Sequence, residues 1–117
     1  LESVAYRFAK IEKLLAPVVP ENQEIIVSGG GILHSPTWLQ IMADVLAKPI
    51  FASGVSEASS RGAALLALEV LGYIEKIEDV KIPMGSNYIP NWEKHDKYLK
   101  AMEETEQLYQ LILGKQI

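Results

Sequence analysis

Three consecutive glycines, Gly29-Gly30-Gly31, sit inside the run Glu24-Ile-Ile-Val-Ser-Gly-Gly-Gly-Ile-Leu-His-Ser-Pro-Thr-Trp38, and no other stretch constrains the fold so strongly. Ile25-Ile-Val27 is short, continuous and β-branched, which predicts a strand covered on both faces. After the glycines, Ser35 is a good N-cap and Pro36 suits the first helical position, where a missing N–H costs nothing. Trp38, Ile41, Met42, Val45 and Leu46 then follow the i, i+3, i+4, i+7, i+8 spacing of one buried helical stripe. The stretch reads as strand, bare turn, helix. A turn without Cβ atoms can take positive φ and let a flat ligand lie directly on the backbone.

The rest of the chain extends this pattern. Val4, Phe8, Ile11 and Leu15 recur at helical spacing, and Pro17 and Pro20 end that helix. Pro49-Ile-Phe-Ala-Ser53 is the second strand, closed by Gly54. Ala58 to Leu71 is a helix stopped by Gly72, and its small residues Ser59, Ser60, Gly62, Ala63, Ala64 and Ala67 predict an interior position. Ile74 to Tyr88 reads as irregular, with one helical turn near Glu75 to Val80. Tyr98, Met102, Thr105, Tyr109 and Ile112 mark a face of a last helix from about Glu93 to Leu113. The expected class is α/β, in the order helix, strand, helix, strand, helix, loop, helix, with parallel strands joined by a crossover. Two strands alone make a marginal sheet, so further strands are expected from elsewhere.

Composition removes several function classes. The chain has 117 residues, enough for one domain with a real core, and 49% are hydrophobic. A net charge of −4 offers no basic surface for a phosphate backbone, so neither nucleic acid nor an acidic membrane surface is an expected partner. No apolar run reaches the roughly 18 residues of a membrane span. The absence of cysteine excludes disulfides, thiolate metal sites and cysteine nucleophiles, and suits a reducing, cytoplasmic setting. His34 and His95 are far apart and belong to no HExxH pattern, so no metal site is expected. The N-terminus lacks an initiator methionine and a signal-peptide pattern and starts inside a helical pattern, as a truncated chain would.

A glycine turn between a strand and a helix often holds a nucleotide, because free N–H groups and the helix dipole face it. Two standard versions fail. The dinucleotide pattern G-x-G-x-x-G would need glycine at His34, and the P-loop would need Gly-Lys-Ser/Thr. By pattern alone, a structural tight turn and a ligand contact stay equally open. The plainer reading of His34 is a surface histidine beside an N-cap, and of Trp38 a core residue. Asp44 is expected on the solvated side of its helix, Glu57 and Arg61 as an i, i+4 pair, Glu103, Glu104 and Glu106 as a solvated face, and Tyr98 and Tyr109 as packing anchors. No catalytic triad, acid/base pair or metal cluster emerges, so no catalytic residue is expected in this chain.

Taken together, Ile26 to Leu46, then Pro49-Ile, then Glu57-Ala-Ser-Ser-Arg-Gly-Ala-Ala-Leu-Leu-Ala-Leu68 resemble the C-terminal domain of the FGGY carbohydrate kinases, gluconokinases above all and xylulokinases next. Glycine turn, Trp-x-Gln-x-x-Ala-Asp helix and Ser-Arg-Gly-Ala-Ala helix occur in the family's order and spacing. The resemblance covers nearly the whole chain and implies that residues 1–117 are the C-terminal part of the second, nucleotide-binding domain. It implies a partial ribonuclease-H-like fold of the actin-like ATPase type, with sugar and ATP between two such domains and Mg²⁺ on the phosphates. In that family the glycine pair borders the adenosine and a residue four positions beyond the second glycine contacts adenine. Carried over, these are Gly29, Gly30 and His34, with Gly31 and Ser35 adjoining; many members have asparagine at the place of His34. The phosphate loop, catalytic aspartate and sugar-binding residues would all precede position 1, so the isolated chain is expected to be inactive. A homodimer is a further expectation. The rival readings are a non-catalytic regulatory or assembly module and a fragment of a dinucleotide-dependent dehydrogenase, the latter disfavoured by the broken glycine pattern.

Overall fold

The computed structural model describes residues 1–20 and 24–114. The elements are α1 (Glu2–Leu15), β1 (Ile25–Val27), α2 (Gly30–Leu33), α3 (Pro36–Leu46), β2 (Ile50–Ser53), α4 (Ala58–Val70), a 3-10 turn (Ile77–Asp79), β3 (Met84–Tyr88) and α5 (Trp92–Leu113). β1 and β2 pair in parallel, with Ile25 opposite Ile50 and Val27 opposite Ala52. The crossover between them is the α2–α3 segment, as strand, turn and amphipathic helix required.

Two parts of the expected order need correction. The segment read as irregular before Tyr88 contains β3, which pairs antiparallel with β2, so the sheet is mixed and not wholly parallel. Met84-Gly-Ser-Asn-Tyr88 has no alternating apolar pattern because its side chains are nearly all exposed; backbone bonds to β2 define it. Gly85 lets the two backbones approach, since a Cβ there would meet the Ala52 carbonyl oxygen at 3.2 Å. The second correction concerns the turn, where Gly30 and Gly31 open the single-turn helix α2.

The core lies around α3. Leu39, Met42, Ala43 and Val45 pack with Ala5 and Ala9 of α1 and with Ile50 and Ala52 of β2. The buried face of α1 is therefore its alanines. Small side chains let α1 approach α3 closely, while Val4, Phe8, Ile11 and Leu15 are turned outward and stay exposed. Ile26 is likewise exposed, so β1 is not covered on both faces. α4 was expected inside and is instead an outer helix with no buried residue; Leu66, Val70 and Leu71 stand in solvent. Its C-terminal stop is as expected, with Gly72 at φ +79° and Tyr73 N–H bonded to the Leu68 carbonyl at 2.9 Å.

The surplus surface is large. The radius of gyration is 17.6 Å, against about 13 Å for a self-contained domain of this length. The accessible surface is 8607 Å², against about 6300 Å² for a folded monomer of this mass. Small helix faces on α4 and large apolar ones on α1 stay exposed among the described residues.

α5 closes over α1 and α3. Tyr98 meets Tyr6 edge-on at 6.2 Å, and Arg7 lies 4.5 Å above the Tyr109 ring, so both tyrosines anchor packing as expected. Burial, and then the Glu2 carboxylate, pushes the Tyr6 and Tyr98 phenols above their ordinary pKa. Glu106 is more than a solvated acid, because it accepts from Gln110 Nε2 at 2.9 Å and from Lys10 Nζ at 3.1 Å. These hydrogen bonds, that of Gln110 first and that of Lys10 second, hold its carboxyl below the ordinary value of 4.5. A folded-state pKa below the unfolded one gives stability that is complete above the unfolded pKa and is lost as pH falls through the folded pKa. Glu106→Gln is accordingly expected to leave a smaller loss of urea midpoint on going from neutral pH into acid. An identical acid dependence in variant and parent would refute the contribution.

Candidate functional site

The site is built at the C-terminal end of β1. After Val27 and Ser28 the chain turns at Gly29, whose φ of +105° and ψ of 133° are open to glycine and strained for an L side chain. Gly29 then caps α2, with Leu33 N–H bonded to its carbonyl at 3.1 Å. A Cβ added at Gly29 or Gly31 would meet nothing within 4 Å, and one at Gly30 would reach only the His34 ring at 3.9 Å. The three glycines thus present bare backbone to open space.

They form one end of a cleft of about 980 Å³ whose walls include Phe8, Ile11 and Leu15 of α1 and Trp38, Met42 and Leu46 of α3. Three apolar residues of α1 that miss the core, Phe8, Ile11 and Leu15, therefore line this cleft. Trp38 is half-buried, as a core residue of the α3 stripe, but its Nε1–H is buried without an acceptor among the described residues. An unmet buried donor of this kind costs about 1–3 kcal/mol, which an occupant offering an acceptor would recover.

His34 and Ser35 complete the turn. The His34 Nδ1–H donates to the Gly30 carbonyl oxygen, which can only accept. The same carbonyl accepts from His34 N–H at 3.3 Å, so the imidazole is pinned against the glycines. Ser35 caps α3 as expected, its Oγ accepting from Trp38 N–H at 3.4 Å, and Pro36 opens that helix. The structure thus brings Gly29, Gly30, Gly31 and His34 together, whereas Ser35 faces the helix it caps. Neither His34 nor Ser35 lines the cleft wall itself.

Charge is sparse around the shelf. Lys48 is the one cation lining the cleft among the described residues, and it is paired with Glu12. Such a surface suits a neutral, flat group far better than a polyphosphate. Among the described residues no three His, Asp or Glu side chains converge as a metal ion would need. No helix among them is long and apolar enough to cross a membrane.

Two expectations about neighbouring side chains are overturned. Asp44 is not solvated: it is 1% exposed, and its Oδ1 accepts from Gln40 Nε2 and from Asn91 N–H, each at 2.8 Å. Glu57 and Arg61 do not pair; Arg61 reaches the Lys81 carbonyl at 3.2 Å, across the loop after α4. The Gln40–Asp44 contact was open to sequence reasoning, since the two are four apart on one helix. Their partners in the β3–α5 connection were not.

Comparison with known proteins identifies the family. Residues 1–69 match the FGGY family of carbohydrate kinases, C-terminal domain. The chain is 32% identical over 92 residues to glycerol kinase 1 of Thermotoga maritima, which covers 77% of this chain and 19% of that protein. It is 31% identical over 112 residues to xylulose kinase of Staphylococcus epidermidis, covering 93% of this chain and 22% of the relative. Among solved structures, gluconate kinase of Lactobacillus acidophilus shares the fold with a TM-score of 0.80 at 19% identity, over 96% of this chain and 23% of that one. Xylulose kinase of Rhodospirillum rubrum superposes with a TM-score of 0.77 at 28% identity, over 97% and 23% respectively. The chain spans about a fifth of the length of the curated relatives it matches. With its first 69 residues aligned to that domain and an α/β fold shared with two of the family's sugar kinases, the chain belongs to the FGGY family of carbohydrate kinases.

Proposed function

We propose that this chain is the nucleotide-side, C-terminal segment of an ATP-dependent kinase that phosphorylates a sugar or sugar acid, with gluconate the favoured acceptor and a cytoplasmic setting. The observation that carries the reading is the side-chain-free shelf at Gly29 to Gly31, open to a cleft and bordered by a pinned imidazole. On this reading adenosine rests on the shelf with His34 at its base, and Gly31 and Ser35 adjoin. The sparse charge around the glycines supports the adenosine end over the phosphates. The domain is then part of a ribonuclease-H-like, actin-like ATPase fold whose remaining strands lie elsewhere in the protein.

Phosphoryl transfer of this kind rests on positioning and charge stabilisation around the γ-phosphate. An aspartate outside this chain takes the proton of the sugar hydroxyl, the hydroxyl oxygen attacks the γ-phosphorus, and ADP leaves. Mg²⁺ would supply charge neutralisation on the phosphates in the intact enzyme. Xylulose is the second reading of the acceptor, supported by the xylulose kinases among the chain's relatives. The residues that would choose between the two precede position 1 on this reading.

Calorimetric titration of ATP into the full-length protein is the test, with NADH titrated in parallel. ATP is expected to bind while the isolated chain phosphorylates nothing. A full-length protein without affinity for ATP would make this a regulatory or assembly module, and NADH binding would revive the dehydrogenase reading.

A further inference from the structure

Asp44 is the one acid among the described residues that is fully buried, and no cation pairs with it there. Hydrogen bonds alone compensate its burial, which makes each of them consequential. All of them gather one segment. The Asp44 carboxylate accepts from Asn91 N–H and from Gln40, and Gln40 Nε2 also donates to the Ile89 carbonyl at 2.8 Å. The Asp44 backbone carbonyl accepts from His95 Nδ1–H at 2.8 Å, one turn into α5. Asn91 in turn caps α5, its Oδ1 accepting from Lys94 N–H at 3.1 Å. Ile89, Asn91 and His95 all lie beyond the region matched to the family domain, so two side chains of the matched helix hold a segment outside it.

α3 carries this clasp at its C-terminal end and the His34–Ser35 border of the shelf at its N-terminal end. The nine helical steps from Ser35 to Asp44 make a rigid lever of roughly 13 Å between them. At the opposite end of α5, Lys10 and Glu106 tie that helix to α1, so α3 is gripped between two helices fastened to each other.

We propose that Asp44, with Gln40, is a positioning residue: it fastens the Ile89–His95 segment to α3 and through α3 holds the glycine shelf and His34 in the geometry that receives the nucleotide. The clasp stands on the hydrogen bonds alone, whereas its effect on nucleotide rests on the function proposed above. Release of the segment lets α3 shift on the core, and a displacement of the shelf by a fraction of an ångström weakens binding without touching the chemistry.

Two variants of the full-length protein decide it, Asp44→Leu, which removes the acceptor while keeping the branch at Cγ, and Asp44→Asn, which keeps Oδ1. Hydrogen exchange read by mass spectrometry on peptides from 89–102 is expected to accelerate about tenfold or more in Asp44→Leu. In the same variant the KM for ATP is expected to rise about three- to tenfold, with kcat and the KM for sugar within about twofold of the parent. Asp44→Asn is expected to restore both. Unchanged exchange in Asp44→Leu would overturn the clasp, whatever the protein binds. Accelerated exchange with an unchanged ATP KM, or with kcat and both KM values worsening together, would reduce Asp44 to a scaffold residue and overturn its positioning role. A parent protein that ignores ATP while exchange still accelerates would strike the functional half alone and leave the clasp intact. If Asp44→Leu does not fold, Gln40→Met removes the Ile89 arm, and the same readings with smaller shifts decide the matter by the same signs.

Discussion

On the proposed function, Gly30→Val in the full-length protein is expected to raise the KM for ATP by about tenfold or more while the KM for sugar and kcat stay within about twofold, the pattern of lost nucleotide binding with the chemistry intact. The structure makes this a clean experiment. A Cβ at position 30 meets only the His34 ring at 3.9 Å, an ordinary contact, so the folded chain accommodates it. The branches of valine then fill the space above the backbone where the adenosine is proposed to rest. Gly30→Ala supplies a graded control with a smaller rise. An ATP KM that ignores both substitutions would remove the shelf from the nucleotide site.

Gly29 and Gly31 should separate strain from space. Gly29→Ala forces an L residue to φ +105°, where no neighbour obstructs the methyl group and only the backbone objects. The expected loss is about 1–3 kcal/mol of stability, seen as a lower denaturant midpoint in the full-length protein. Gly31→Ala adds a methyl group in equally open space but within α2, where alanine is the better residue by about 0.5–1 kcal/mol. The two midpoints should therefore move in opposite directions. Equal movement would show that the turn does not depend on a left-handed glycine.

Much of this turn was legible in the sequence for simple reasons. Ser35 and Pro36 announce the start of α3 through local chemistry, Gly72 ends α4 through its φ, and the β-branched Ile25-Ile-Val27 run declares a strand; none of these needs a distant partner. β3 escaped because an exposed edge strand has no burial pattern to write into its side chains. Asp44 escaped for a different reason. A carboxylate beside a helical stripe reads as solvated until the backbone N–H of a residue 47 positions later comes to meet it. α1 and α4 misled in the reverse direction, since apolar and small residues record what a helix is meant to touch, including surfaces that other parts of a protein supply. The shelf itself was visible as three glycines, but its openness and the pinning of His34 to Gly30 appear only in three dimensions.

The outward apolar faces of α1 and α4 also bear on how such a protein is made. On the function proposed above, in which this chain is the C-terminal part of a longer protein, its sticky helices emerge from the ribosome beside a template that has already had time to fold. Translation order then shields them from neighbouring chains, and the same helices placed at the start of the message would have to wait unprotected for their cover.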